Sequence, residues 1–302
     1  MLAERAAQEV CVKKIVFLSL MGLVIAGCSK QTEKVPPSGK PVVYTVNYPL
    51  AYFAERIAGS KVEVVFPHME GDPAFWEPTP EQIAEFQDAD LILLNGASYA
   101  KWVLKVSLPQ ARLVDTSTAF KDRLIVIDGA ATHSHGPGGA HAHGDIAFTT
   151  WLDPHLALQQ AVAIRDAFSK HWQMDAADFQ ALEKELLEFD AQLETAFGEF
   201  EDQPLLGSHP IYQYLTRRYN LNMESVHWEP DEAPDAEMWS ELNDILGAHP
   251  AKLMLWEAEP LADTKAKLEE KGVQSMVFDP CGNRPVAGDF ISVMNANIHN
   301  LE

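Results

Sequence analysis

The sequence predicts an α/β protein of two lobes, each a parallel sheet flanked by helices, bridged by one long rigid helix. The bridge is read from residues 175–202, where Phe179, Leu182, Leu186, Phe189, Leu193, Phe197 and Phe200 recur at spacings of three and four. That spacing is one face of a single helix, and the opposite face is mostly Glu and Asp. No proline interrupts it before Pro204, and its only glycine is Gly198 near the end; at about 1.5 Å per residue it would reach roughly 40 Å. On either side the chain alternates strand with helix, which means parallel sheets. A length of 302 residues with 47% hydrophobic content suits two packed cores.

In chain order, residues 1–27 read as a signal peptide: Lys13 and Lys14, the apolar run 15–25, then Ala26 and Gly27 before Cys28. The run is too short to span a bilayer. Residues 28–40 are polar, with Pro36, Pro37 and Gly39, and form a tether. With Cys11 inside the signal peptide and Cys28 at its end, Cys281 is the one cysteine of the body, so no disulfide is expected within it.

The first lobe is assigned to 41–174. Strands are expected at 42–46, 62–66, 91–94 and 112–115, with helices at 49–58, 79–88 and about 99–105; Pro80 stands where a helix start prefers proline. Asp153 and Pro154 open a further helix that runs to about residue 170. The linking helix takes 175–203. In the second lobe, 204–302, strands at 205–207, 223–226, 252–256 and 274–278 alternate with helices that include 211–219, 235–248 and 289–301.

Ligands of such sheets bind beyond the carboxyl ends of the strands. In the second lobe those ends carry Ser208 and His209, His227 and Glu229, Glu257 and Glu259, and Asp279 and Cys281. Imidazole with carboxylate is the ligand set of a borderline divalent cation. Each has an ordinary alternative: His209 before Pro210 would cap a helix, Asp279 before Pro280 would make a turn, and Glu229, Glu257 and His227 would be solvated strand ends. Cys281 reads as a half-buried thiol and His155 as a solvent-facing first-turn residue. The formal charge of -21 disfavours nucleic acid as a partner and suits cations.

Residues 132–144, THSHGPGGAHAHG, hold two His-x-His pairs, His133 with His135 and His141 with His143, around a Gly/Pro hinge. In extended chain, residues two apart point the same way, so each pair can offer two imidazoles to one ion. With no apolar content the run is expected to be a mobile metal-gathering loop.

Small residues before Cys28 resemble a bacterial lipobox, which implies acylation at that cysteine and an exported, lipid-anchored protein on the extracytoplasmic (periplasmic) face. The segments NYPLAYFAERIAG, GDPAFWEPTPEQI, ADLILLNGASYAKW, WLDP, SHPIYQYLTRRY and FDP, with the His-rich loop and the long helix, together resemble the cluster A-I solute-binding proteins, lipoprotein subunits of bacterial zinc and manganese ABC importers. The resemblance implies a metal held between the lobes and delivered to a membrane permease by a monomeric, non-enzymatic subunit. His209 and Asp279 match the family's two second-lobe ligands. Ala74 and Thr149 stand where the family usually has histidines, so remaining coordination is expected from the His-rich loop or from Glu77, Glu229 or Glu257. Zinc is expected ahead of manganese because imidazole outnumbers carboxylate among the candidates. Two other readings stand beside this one. A metal-buffering or adhesin lipoprotein would lack a transporter, and a zinc hydrolase would need a general base, although the chain has no HExxH motif.

Overall fold

The computed structural model describes residues 39–69, 71–127, 132–135, 139–142, 146–174 and 177–301. The signal peptide, Cys28 and nearly all of the tether lie outside the described residues, as does His143.

The first sheet contains β1 (Val42–Thr45), β2 (Glu63–Val65), β3 (Leu91–Leu94) and β4 (Leu113–Asp115), all parallel, in the order β2-β1-β3-β4. Its helices α1 (Tyr48–Ala58) and α2 (Pro80–Asp88) start on side-chain caps. Asn47 accepts the Leu50 N–H at 3.2 Å, and Thr79 and Gln82 form a reciprocal capping box. The expected helix at 99–105 is instead a 3-10 turn, Lys101–Lys105. Ala97, Ser98 and Ala100 immediately before it have positive φ, and such left-handed residues cannot continue an α-helix.

The 132–144 run, expected to lack regular structure, contains an antiparallel hairpin of β5 (Thr132–His135) and β6 (Gly139–Ala142), with His133 in register with His141. Backbone pairing needs no apolar side chains, which is why composition alone missed it. The hairpin lies beyond an isolated bridge between Val126 and Ile146.

Two helices follow: α3 (Pro154–Trp172), capped by Asp153, and α4 (Ala177–Gly198). Phe179, Leu182, Leu186, Phe189, Leu193 and Phe197 of α4 are all buried, and the helix packs on α1 and α3 of the first lobe and on α5 and α8 of the second. It ends at Gly198, short of the 202 expected, and the chain then turns, with Asp202 at φ 61°.

The second sheet repeats the first. It comprises β7 (Pro204–Gly207), β8 (Asn222–Ser225), β9 (Leu253–Trp256) and β10 (Gln274–Val277) in the order β10-β9-β7-β8, all parallel. Counted within its own lobe, each sheet has its second, first, third and fourth strands side by side. The helices are α5 (Gln213–Tyr219), α6 (Ala236–Ala248), α7 (Ala262–Glu270) and α8 (Phe290–Leu301). Phe290 of α8 packs edge-on against Phe53 of α1, so one apolar core runs through both lobes.

Polar ties reinforce this. Asp190 of α4, almost fully buried, takes two bonds from Arg218 of α5 at 2.9 and 2.5 Å and one from the Tyr219 hydroxyl at 3.0 Å, and its Oδ2 lies 3.2 Å from His155 of α3. Arg56 of α1 reaches Glu185 of α4 with two bonds at 2.6 and 2.7 Å. Tyr214 of α5 donates to the Ala147 carbonyl at 2.9 Å, and the Thr149 hydroxyl donates to the Ile211 carbonyl.

Candidate metal centre

In an open parallel sheet the strand order reverses between the first and third strands, and the loops leaving their carboxyl ends separate into a crevice. In the second lobe that crevice lies beyond β7 and β9. The chain leaving β7 carries Ser208 and His209, and the residue after β9 is Glu257. Gly207 permits this close approach: a Cβ there would sit 2.9 Å from Ser225 Oγ and 3.2 Å from the His209 carbonyl. Neighbouring β8 leads to Glu229.

His209, Glu229 and Glu257 each place one donor atom within 4.8 Å of the others, and His209 Nε2 is 3.8 Å from Glu229 Oε1. His209 is 5% exposed, shielded from bulk water. Ligands about 2.0–2.2 Å from a tetrahedral zinc stand roughly 3.3–3.6 Å apart, so side-chain rotations alone would bring this trio onto one ion. His227 lies edge-on to His209, with ring centroids 6.0 Å apart.

These carboxylates open onto a cleft of about 490 Å³ between the lobes. The second lobe contributes Glu229, Glu257 and Asp279 to its walls, and the first lobe contributes Asp72, Phe148, Thr149 and Trp151. Burial, and then the charge of Glu229, hold the Glu257 carboxyl well above the usual range; Asp72 and Asp279 push it the same way. Asp279 is raised by burial and partly restored by the Cys281 N–H. The protein around Asp72 pushes its carboxyl up to about 6, against the lowering by the Ala74 N–H and with a smaller push from the Glu229 charge. Glu257 and Asp72 are both disfavoured as anions by neighbouring carboxylates, the electrostatic condition a divalent cation relieves.

Of the residues proposed from sequence, His209 joins the compact group. Asp279 lines the same cleft outside that group, with Oδ1 accepting the Cys281 N–H at 2.6 Å. His133, His135 and His141 belong to the hairpin. Glu77 does not line the cleft; it is paired with Lys105 at 2.5 Å. Ala74 is buried, and Thr149 joins the lobes through its bond to Ile211. The sequence places Asp72 among the residues beyond the first lobe's strand ends but does not single it out as a ligand, because it lies in an irregular loop where spacing carries no signal.

The family description "ZnuA: Zinc-uptake complex component A periplasmic" matches residues 43–302. The chain belongs to this family. The zinc-binding lipoprotein AdcA of Streptococcus pneumoniae is 27% identical over 310 residues, covering 96% of this chain and 60% of the relative. The chain thus spans about 60% of the length of AdcA. The high-affinity zinc uptake system protein ZnuA of Bacillus subtilis is 25% identical over 277 residues, covering 85% of this chain and 84% of that protein. Two solved structures share the fold: the metal-dependent lipoprotein YcdH of Bacillus subtilis (TM-score 0.72, 22% identity, 87% and 98% of the two chains) and the Zn(II)-bound ZnuA-like domain of Streptococcus pneumoniae AdcA (TM-score 0.72, 21% identity, 87% and 98%).

Proposed function

We propose that this family member is the extracytoplasmic metal-binding subunit of an ABC importer, with zinc as its cargo and manganese the alternative. It would capture the ion in the interlobe cleft and deliver it to a membrane permease. The observation that carries this reading is the convergence of His209, Glu229 and Glu257, from three different strand ends, at the reversal point of the second sheet. Asp279 completes the acidic wall as a further ligand or as a negative charge beside the ion. The relatives' names supply the cargo: AdcA is a zinc-binding lipoprotein and ZnuA belongs to a zinc uptake system. A binding subunit needs a high-affinity cavity and no reacting groups, so the protein has no catalytic role.

In the same reading Cys28 is the acylated residue, residues 28–40 are the tether, and the body acts as a monomer of two lobes, 41–174 and 204–302, around the linking helix. His133, His135, His141 and His143 gather ions, releasing them more readily than the cleft does.

Zinc titration against a chelator of known affinity tests the proposal. One tight equivalent is expected in the full chain with those four histidines replaced by alanine, and it is expected to vanish when His209→Ala is added. A tight equivalent that survives His209→Ala would refute the cleft assignment.

A further inference from the structure

The compact trio lies wholly on the second lobe, yet a cleft that retains an ion between two lobes needs a donor from each. The first-lobe side of the cleft is formed by Gly71, Asp72, Pro73, Phe148, Thr149 and Trp151. Among these, Asp72 is the only ionisable side chain. The other polar groups are committed: the Thr149 hydroxyl to the Ile211 carbonyl, and the Trp151 indole N–H to the Pro280 carbonyl at 2.7 Å. Asp72 spends Oδ1 on the Ala74 N–H at 2.8 Å, a local turn that orients the carboxylate and leaves Oδ2 outside that bond.

The loop is anchored from the opposite lobe. Asn283 donates from one amide nitrogen to the Met69 and Gly71 carbonyls, both at 3.0 Å, and the Tyr48 N–H donates to the Gly282 carbonyl at 2.9 Å. Asp72 is therefore positioned by the segment that also carries Asp279. Nearby, the buried Tyr99 hydroxyl has no hydrogen-bond partner among the described residues and lies 3.8 Å from where a Cβ of Gly282 would be. It is a spare donor beside the cleft, suited to a water or carboxylate drawn in by a cation. Asp72 and Glu229 sense each other's charge across the gap.

We propose that Asp72 is the first-lobe metal ligand and sets the site's selectivity, so that the ion is held by one imidazole, His209, and a majority of carboxylate oxygens from Glu229, Glu257 and Asp72. This rests on the reading that the cleft takes a divalent cation. It sharpens the cargo class: an oxygen-rich set narrows the advantage of zinc over manganese relative to a site dominated by imidazole.

The test uses the full chain with His133, His135, His141 and His143 replaced by alanine, so that the cleft alone is read, and compares Asp72→Asn, Asp72→His and His209→Ala. Asparagine keeps an oxygen for the Ala74 N–H, and thermal unfolding checks that each variant folds. Zinc and manganese affinities are measured by competition titration, and cobalt(II) is added as a spectroscopic reporter of ligand set. Asp72→Asn is expected to weaken zinc by roughly 10- to 100-fold, the scale of losing a partner at a metal site, and to change the cobalt d–d bands. Asp72→His is expected to restore zinc affinity and widen zinc over manganese discrimination by at least about tenfold.

Unchanged zinc affinity and cobalt spectrum in Asp72→Asn, with binding lost in His209→Ala, would overturn the assignment of Asp72 while leaving the cleft reading intact. Binding unaffected by both substitutions, or absent before either, would overturn both.

Discussion

At the reversal point of the first sheet two amides face each other; at that of the second, an imidazole and a carboxylate do. Asn47 and Asn95, beyond β1 and β3, are buried and joined by a 3.1 Å hydrogen bond. Asn47 also caps α1, while Asn95 donates to the Phe148 carbonyl at 2.9 Å and accepts from Gln160 at 3.0 Å. The two amides are tied to each other and to the residues around them, so hydrogen bonds within the lobe close the first crevice. The second brings His209 together with Glu229 and Glu257, and the charge of Glu229 disfavours that of Glu257. One sheet order thus gives a structural joint in one lobe and a candidate binding site in the other, according to whether amides or an imidazole with carboxylates stand at the reversal point.

The comparison breaks most sharply at His209. His209→Ala, read by zinc competition with the hairpin histidines removed, should weaken binding beyond the 10- to 100-fold typical of a lost supporting group, because the site's only imidazole goes. An effect under about tenfold would mean the second crevice is as structural as the first. Next is Asp190, which keeps the lobes in register. Asp190→Ala leaves Arg218 without its partner in a largely buried setting and should cost about 3 kcal/mol, lowering Tm by roughly 6 to 12 °C. A calorimetric shift under about 2 °C would show that the polar tie adds little to the shared core. Smaller again is Asn47→Ala, which removes the α1 cap and should cost about 1–2 kcal/mol while leaving zinc affinity unchanged; weakened zinc binding would show that the first crevice takes part.

A last effect concerns pH. The folded-state pKa of Asp72 is raised, from 3.8 to about 6, and Glu257 and Asp279 move the same way. Between the unfolded and folded values the folded state binds more protons, so its stability falls as pH rises. Without metal, Tm should therefore gain a contribution from Asp72 as pH is lowered from about 7 to 4. That gain should shrink in Asp72→Asn. Zinc binding should weaken over the lower part of the same range, since ligands must lose protons to coordinate. Identical pH profiles for Asp72→Asn and the parent protein would show that Asp72 does not feel the acidic wall.

Much of this architecture is legible along the chain. The apolar spacing from Phe179 to Phe197 is strictly local and gives α4 directly; the alternation of β-branched runs with capped helices gives both parallel sheets. Strand ends identify where ligands belong, and His209, Glu229 and Glu257 fall there. Which of them meet is not a local property: it depends on sheet order, which places β7 beside β9 although α5, β8 and α6 intervene. Asp72 is harder still, because its position depends on hydrogen bonds from Asn283, more than two hundred residues away in sequence. The left-handed residues before Lys101 also escaped, since Ala97 and Ala100 are poor sequence signals for positive φ.

The most direct measurement is anomalous diffraction at the zinc edge from crystals of the zinc-loaded protein. A single strong cleft peak is expected within about 2.0–2.2 Å of His209 Nε2 and of oxygens from Glu229 and Glu257. A peak confined to the His133–His141 hairpin, with none at the second sheet's reversal point, would contradict the central claim.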